Sequence, residues 1–152
     1  MYKFKQLLII LLVPVFCTSM EIYTGGGVQI PLGEVGNELP IGSYLDLSVY
    51  GGKNIKPSLG MGVVSLGLPP SNINIYRATV GIKYGVFELK TGYHIIIVKQ
   101  GEGRESENGL GLLTGIVIPL GNGGGYANIF YTSVPQGIGI GVTFNPLGLW
   151  GK

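Results

Sequence analysis

The stretch YRATVGIKYGVFELKTGYHIII, residues 76–97, decides the fold. At its centre Tyr84-Gly85-Val86-Phe87 has the form of a two-residue hairpin loop. Gly stands first of the two central residues, where a type II′ turn needs a positive φ. Pairing Tyr84 with Phe87 fixes the register of both arms, so that Lys83 opposes Glu88 and Arg77 opposes His94. Side chains of a strand alternate between faces. One face then carries Arg77, Thr79, Gly81, Lys83, Glu88, Lys90, Gly92 and His94. The other carries Tyr76, Ala78, Val80, Ile82, Tyr84, Phe87, Leu89, Thr91, Tyr93, Ile95 and Ile97. The separation of polar from apolar is nearly complete.

The same alternation spreads outward from this hairpin. Leu45, Leu47 and Val49 alternate with Tyr44, Asp46, Ser48 and Tyr50, and Ile138, Ile140, Val142 and Phe144 alternate with Gly137, Gly139, Gly141 and Thr143. Frequent Gly and abundant β-branched residues leave no convincing helix after the first segment. Strands are expected near 21–32, 43–52, 58–68, 75–84, 87–99, 109–120, 126–134 and 137–145. The connections 33–42, 69–74 and 100–108 are longer than 53–57 and 85–86 between them. Alternating long and short connections suit an up-and-down barrel with loops at one rim and turns at the other, although the last two connections, 121–125 and 135–136, break the trend. The runs 95–98 and 116–118 are apolar on both faces and break the pattern.

Composition settles which face points outward in the expected fold. Of 152 residues only 12% are charged, while 45% are hydrophobic and 28 are Gly. A soluble domain covers its surface with about 25–35% charged residues. Rows of Gly weaken a solvated strand face, but they give clearance inside a narrow closed barrel. The apolar face is therefore expected outside, with Gly and a few charges inside. Tyr76 and Tyr84 lie about 26 Å apart along one strand, which after tilt approaches the spacing of the aromatic girdles of a membrane barrel. Nucleic acid is not an expected partner, because ten basic and eight acidic residues leave no strongly basic surface.

Residues 1–19 have the three parts of a secretory signal. Lys3 and Lys5 precede an apolar run from Leu7 to Phe16, and Cys17-Thr18-Ser19 supplies small residues before a cut at Met20. The run is shorter than the roughly 20 residues of a spanning helix. A retained anchor and a lipoprotein cut before Cys17 are the alternatives. Division at this point gives a signal peptide, 1–19, and one barrel domain, 20–152. The domain has no cysteine, so packing and backbone pairing must hold an exported fold.

The signal, the eight alternating strands and the unequal connections resemble the small eight-stranded outer-membrane barrels. Examples are the transmembrane domain of outer membrane protein A and outer membrane protein X. The resemblance spans 21–145 and is one of pattern, without a diagnostic motif. It implies an all-β, eight-stranded antiparallel up-and-down transmembrane barrel in a bacterial outer membrane. It also implies membrane lipid as partner, a monomer, and insertion by barrel-assembly machinery that reads an aromatic at the end of the last strand. Gly141-Val142-Thr143-Phe144 looks like that ending, although 145–152 continue beyond it.

The lumen is expected to hold Asp46, Arg77, Lys83, Glu88, Lys90 and His94, with Lys83 paired to Glu88 and with Arg77 and Lys90 seeking Asp46 or Glu21. Tyr76, Tyr84, Phe87, Tyr93, Phe130 and Trp150 are expected at the membrane interfaces, with Tyr126 and Phe144 adding to them. His94 is the sole histidine, and the four residues after it are Ile95, Ile96, Ile97 and Val98. The lipid A-modifying barrels place a Ser close after their His, and that motif is absent. A metal would need ligand spacing that one His and scattered carboxylates do not give. No cofactor is expected. The leading expectation is a non-enzymatic barrel with a structural or surface-interaction role and a narrow plugged lumen. A lipid-modifying enzyme centred on His94 and a secreted soluble carrier are the alternatives.

Overall fold

The computed structural model describes residues 20–68, 71–101, 103–121 and 124–146. The expected signal segment, 1–19, and Trp150 lie outside them. Eight antiparallel strands, each paired with its neighbours in sequence, close into a barrel: β1 (Glu21–Pro31), β2 (Gly42–Tyr50), β3 (Ile55–Leu68), β4 (Ser71–Tyr84), β5 (Phe87–Gln100), β6 (Gly103–Leu120), β7 (Gly125–Ser133) and β8 (Gln136–Phe144). β1 and β8 complete the circle, from Thr24 opposite Phe144 to Pro31 opposite Gly137. Closure leaves no open sheet edge where the circle is complete.

The β4–β5 hairpin has the register that its turn dictates. Gly85 adopts φ +57°, and facing pairs run without a slip from Tyr84–Phe87 through Lys83–Glu88 and Arg77–His94 to Ser71–Gln100. Each face lies where alternation puts it. Val80, Ile82, Leu89 and Ile95 point outward and are 50%, 49%, 46% and 43% exposed, whereas Arg77, Glu88 and Lys90 point inward and are 5%, 8% and 3% exposed.

Four of the expected connections are built differently, and residues 55–57 of the second already belong to β3. Residues 71–74 and 103–108, expected in loops, belong to strands. β3, β4, β5 and β6 therefore rise as a tall wall. β2 leaves this wall at Gly42 opposite Leu66, and β7 leaves it at Leu113 opposite Thr132. Residues 103–112 of β6 pair with β5 alone. The polar sequence GRESEN reads as a loop, yet it forms the edge strand of this wall, paired with β5 and exposed to solvent at every residue.

The first connection holds a short helix, α1 (Gly33–Glu38), that the sequence did not announce. Its two Gly residues oppose helix formation, and packing supplies what propensity lacks. Val35 and the following Leu39 lie on the apolar interior with Ile73 and Ile96. This arrangement also explains part of the apolar run at 95–98. Ile95 faces outward, while Ile96 faces inward and packs against the apolar cluster. Likewise Val117 points in, between the outward Ile116 and Ile118.

Candidate functional site

The interior is filled in two tiers. Toward the α1 end, Tyr44, Val64, Leu66, Ile75, Leu113 and Phe130 form an apolar cluster. Phe130 corrects the sequence expectation, because it is not an outward girdle residue but is 7% exposed inside the barrel. Its ring meets Tyr44 edge-on, with centroids 5.0 Å apart. The physical reason is the strand's parity: Asn128 and Thr132 share its face and turn toward the interior, and β8 presents Gly139 directly opposite. Tyr126 follows the same parity and also turns inward, its hydroxyl 3.3 Å from that of Tyr23. Tyr76, Tyr84, Phe87, Tyr93 and Phe144 are exposed on the outer face.

The second tier is ionic. β2 presents Asp46, Ser48 and Tyr50 inward at alternate positions, β4 presents Arg77, and β5 presents Glu88 and Lys90. The Lys90 ammonium lies 3.0 Å from Glu88 Oε1 and 3.9 Å from Asp46 Oδ2, and it donates to Ser48 Oγ and Tyr50 Oη at 3.0 and 3.3 Å. Tyr50 in turn donates to Glu88. Arg77 Nη2 stands 3.5 Å from Asp46 Oδ1, and the guanidinium lies over the Tyr44 and Phe130 rings at 5.8 and 5.4 Å. Two cations thus meet two carboxylates. Burying either sign without its partner would cost several kcal/mol on the order of 3–5. Gly62 makes the Arg77–Asp46 approach possible, since a Cβ there would fall 2.7 Å from Asp46 Oδ1 and 2.9 Å from Arg77 Nε.

The expected Lys83–Glu88 ion pair does not form, although the two residues face each other across the hairpin. Glu88 receives two donors deeper in the lumen, Lys90 and Tyr50, and a rim lysine offers it nothing better. The Lys83 ammonium instead lies 4.5 Å from the Tyr126 ring centroid and 5.7 Å from that of Tyr50. Glu21 is held by Lys56 at 2.7 Å, a pair the sequence reading missed. Also missed were the tyrosines that tie the tiers together. Tyr44 donates to Asn128 Oδ1 at 2.6 Å, and Tyr23 donates to Glu21 Oε2 at 3.0 Å. Parity was the available signal, because Tyr44 and Tyr50 share their face with Asp46 and Tyr23 shares its face with Glu21.

His94 faces Arg77 across the hairpin, is 1% exposed, and has no hydrogen-bond partner on Nδ1. Both amide atoms of buried Gln29 are likewise without a partner. Between the tiers remains a cavity of about 30 Å³, lined by residues including Tyr44, Asp46, Arg77, Lys90 and Phe130. That holds no more than a few waters. Among the described residues, no group of three or more His, Cys, Asp or Glu is placed to hold a metal ion. Comparison with protein-family models and with curated proteins found no match.

Proposed function

We propose that this protein is a non-enzymatic barrel of the bacterial outer membrane, exported by its first 19 residues and inserted as a monomer. It would meet lipid with its outer face and partners with the rim that carries α1. The observation that supports this reading is the inverted section through the barrel. Leu45, Met61, Val80, Leu112, Ile129 and Ile140 are exposed, while Asp46, Arg77, Glu88 and Lys90 are enclosed. In water, each large apolar side chain left exposed forgoes about 1.5–3 kcal/mol of burial. Hydrocarbon removes that deficit, and a closed barrel satisfies the backbone without water.

The filled interior supports a plugged lumen rather than a pore. The ion quartet and the aromatic tier leave space for water molecules, not for a solute path. A role for His94 in lipid chemistry is not part of the proposal. A general base must reach a substrate proton, and His94 is sealed beside a guanidinium. The end bearing α1 lies opposite the chain ends of the barrel, the side on which such barrels carry their outward loops.

The test is electrophoretic. The protein extracted in mild detergent should run at different mobilities boiled and unboiled, and it should remain with membranes when cells are lysed without detergent. A folded species that stays dispersed in plain buffer would overturn the proposal.

A further inference from the structure

At the rim opposite α1, the turns 51–54 and 85–86 border an open cavity of about 800 Å³. Its charged lining is entirely basic: Lys53, Lys56 and Lys83. Lys56 is neutralised by Glu21, at 2.7 Å. Lys83 is half-buried and forms no salt bridge among the described residues, with Glu88 and Glu21 acting on it only from a distance, and its ammonium lies against the faces of Tyr50 and Tyr126. Lys53 is exposed and unpaired on the turn. Two positive charges are thus left over in a concave space, and three ammonium donors of Lys83 lack an acceptor. The inner quartet offers Lys83 no relief, because Lys90, Arg77 and Tyr50 already occupy its two carboxylates.

We propose that this vestibule binds a phosphate group, with Lys83 at its floor and Lys53 at its lip. A compact anion would supply acceptor oxygens to Lys83 in a site whose aromatic walls reduce the competition from water. Lysine binds phosphate as a point charge, and charge-assisted hydrogen bonds of this kind are among the stronger ones. The volume exceeds that of inorganic phosphate, which leaves room for an ester substituent. Tyr84 also lines the cavity, and its neighbour Phe87 is exposed on the outer face beside it. A phosphate could therefore arrive free from solution or as the headgroup of a lipid lying against that aromatic rim.

Two measurements on the detergent-folded protein separate these sources. Calorimetric titration with inorganic phosphate, in zwitterionic micelles, reads the free anion. Retention of phosphatidylglycerol against phosphatidylcholine, by native mass spectrometry, reads the lipid. In at least one of them Lys83→Met should weaken binding about tenfold or more, the size of one lost charged contact, and Lys83→Arg should restore most of it. Lys53→Met, on an exposed turn where folding is not at stake, should weaken binding several-fold, and Lys99→Met at the opposite end should change nothing. Phosphate heat sensitive to Lys83 and Lys53 assigns a soluble ligand, and lipid retention with the same sensitivity assigns a headgroup. No saturable binding in either measurement, or binding indifferent to both lysines, would overturn the proposal.

Discussion

Phe130 stands directly opposite Gly139 in the β7–β8 ladder, and its ring occupies the space that any side chain at 139 would fill. An aromatic that sequence reading sends outward is thereby an internal prop, resting on Tyr44 and under the guanidinium of Arg77. Phe130→Ala should destabilise the folded barrel by about 3–5 kcal/mol, the usual cost of emptying an aromatic core site. Gly139→Val should cost about 1–3 kcal/mol through overpacking. Combining Gly139→Val with Phe130→Ala should recover part of the loss, because the new side chain fills the vacated space. Urea titration in micelles, followed by tyrosine fluorescence, measures all three. Additive losses in the double variant would contradict the contact.

The ion quartet gives a second outcome with a defined sign. Glu88→Gln removes the nearest carboxylate from Lys90 and should destabilise by about 3–5 kcal/mol, as expected when a buried pair loses one member. Adding Lys90→Met removes the stranded charge. The double variant should therefore be more stable than the sum of the single losses by about 0.5–3 kcal/mol, the range of coupling between groups in contact. The same urea titration reads this cycle, and a coupling of zero would mean the two groups do not meet.

How far the fold could be read from sequence depended on how many constraints acted on one segment. Residues 76–97 combine a turn glycine with two unlike faces, and a one-residue slip would exchange those faces. That hairpin was fully legible. In β7, by contrast, Tyr126, Asn128, Phe130 and Thr132 alternate with Ala127, Ile129, Tyr131 and Ser133, and neither set is plainly apolar. Only the two polar residues mark the inner face. α1 was illegible because its stability lies in Val35 and Leu39 packing against the buried apolar cluster of the barrel interior, a tertiary contact that no local window contains. In the site, Arg77, Glu88, Lys90 and Asp46 could be placed by parity. Their actual partners could not, since closure brings strands distant in sequence to a common interior.

The free arm of β6 carries an alternating signature that exchange can read. Leu112 N–H points toward β7, where it donates to Ser133 Oγ at 2.8 Å. Gly111 C=O points toward β5, where it accepts from Thr91 Oγ1 at 3.1 Å. In an antiparallel ladder the direction alternates by residue. The amides of Arg104, Ser106, Asn108 and Leu110 therefore face the open side, and those of Glu105, Glu107 and Gly109 face β5. Hydrogen exchange by NMR in micelles should find the first set fast and the second protected. Uniformly fast exchange across residues 103–110 would mean that the arm is not a strand.

The outer face provides the sharpest test of the membrane reading. Val80 lies near the middle of β4 and points away from the interior, half exposed. Val80→Arg would touch none of the internal contacts, so a barrel standing in water should keep its stability within about 0.5 kcal/mol. In a bilayer, an arginine on the lipid face near the midplane costs about 2–4 kcal/mol, and the cost falls toward the interfaces. Folding into phosphatidylcholine vesicles should accordingly lose that amount for Val80→Arg. Tyr84→Arg, at the rim of the same strand, should lose about 0–1 kcal/mol. The ordering matters more than either value. If the two variants cost the same, or if Val80→Arg costs nothing in vesicles, hydrocarbon does not cover the centre of this face and the outer-membrane assignment fails with it.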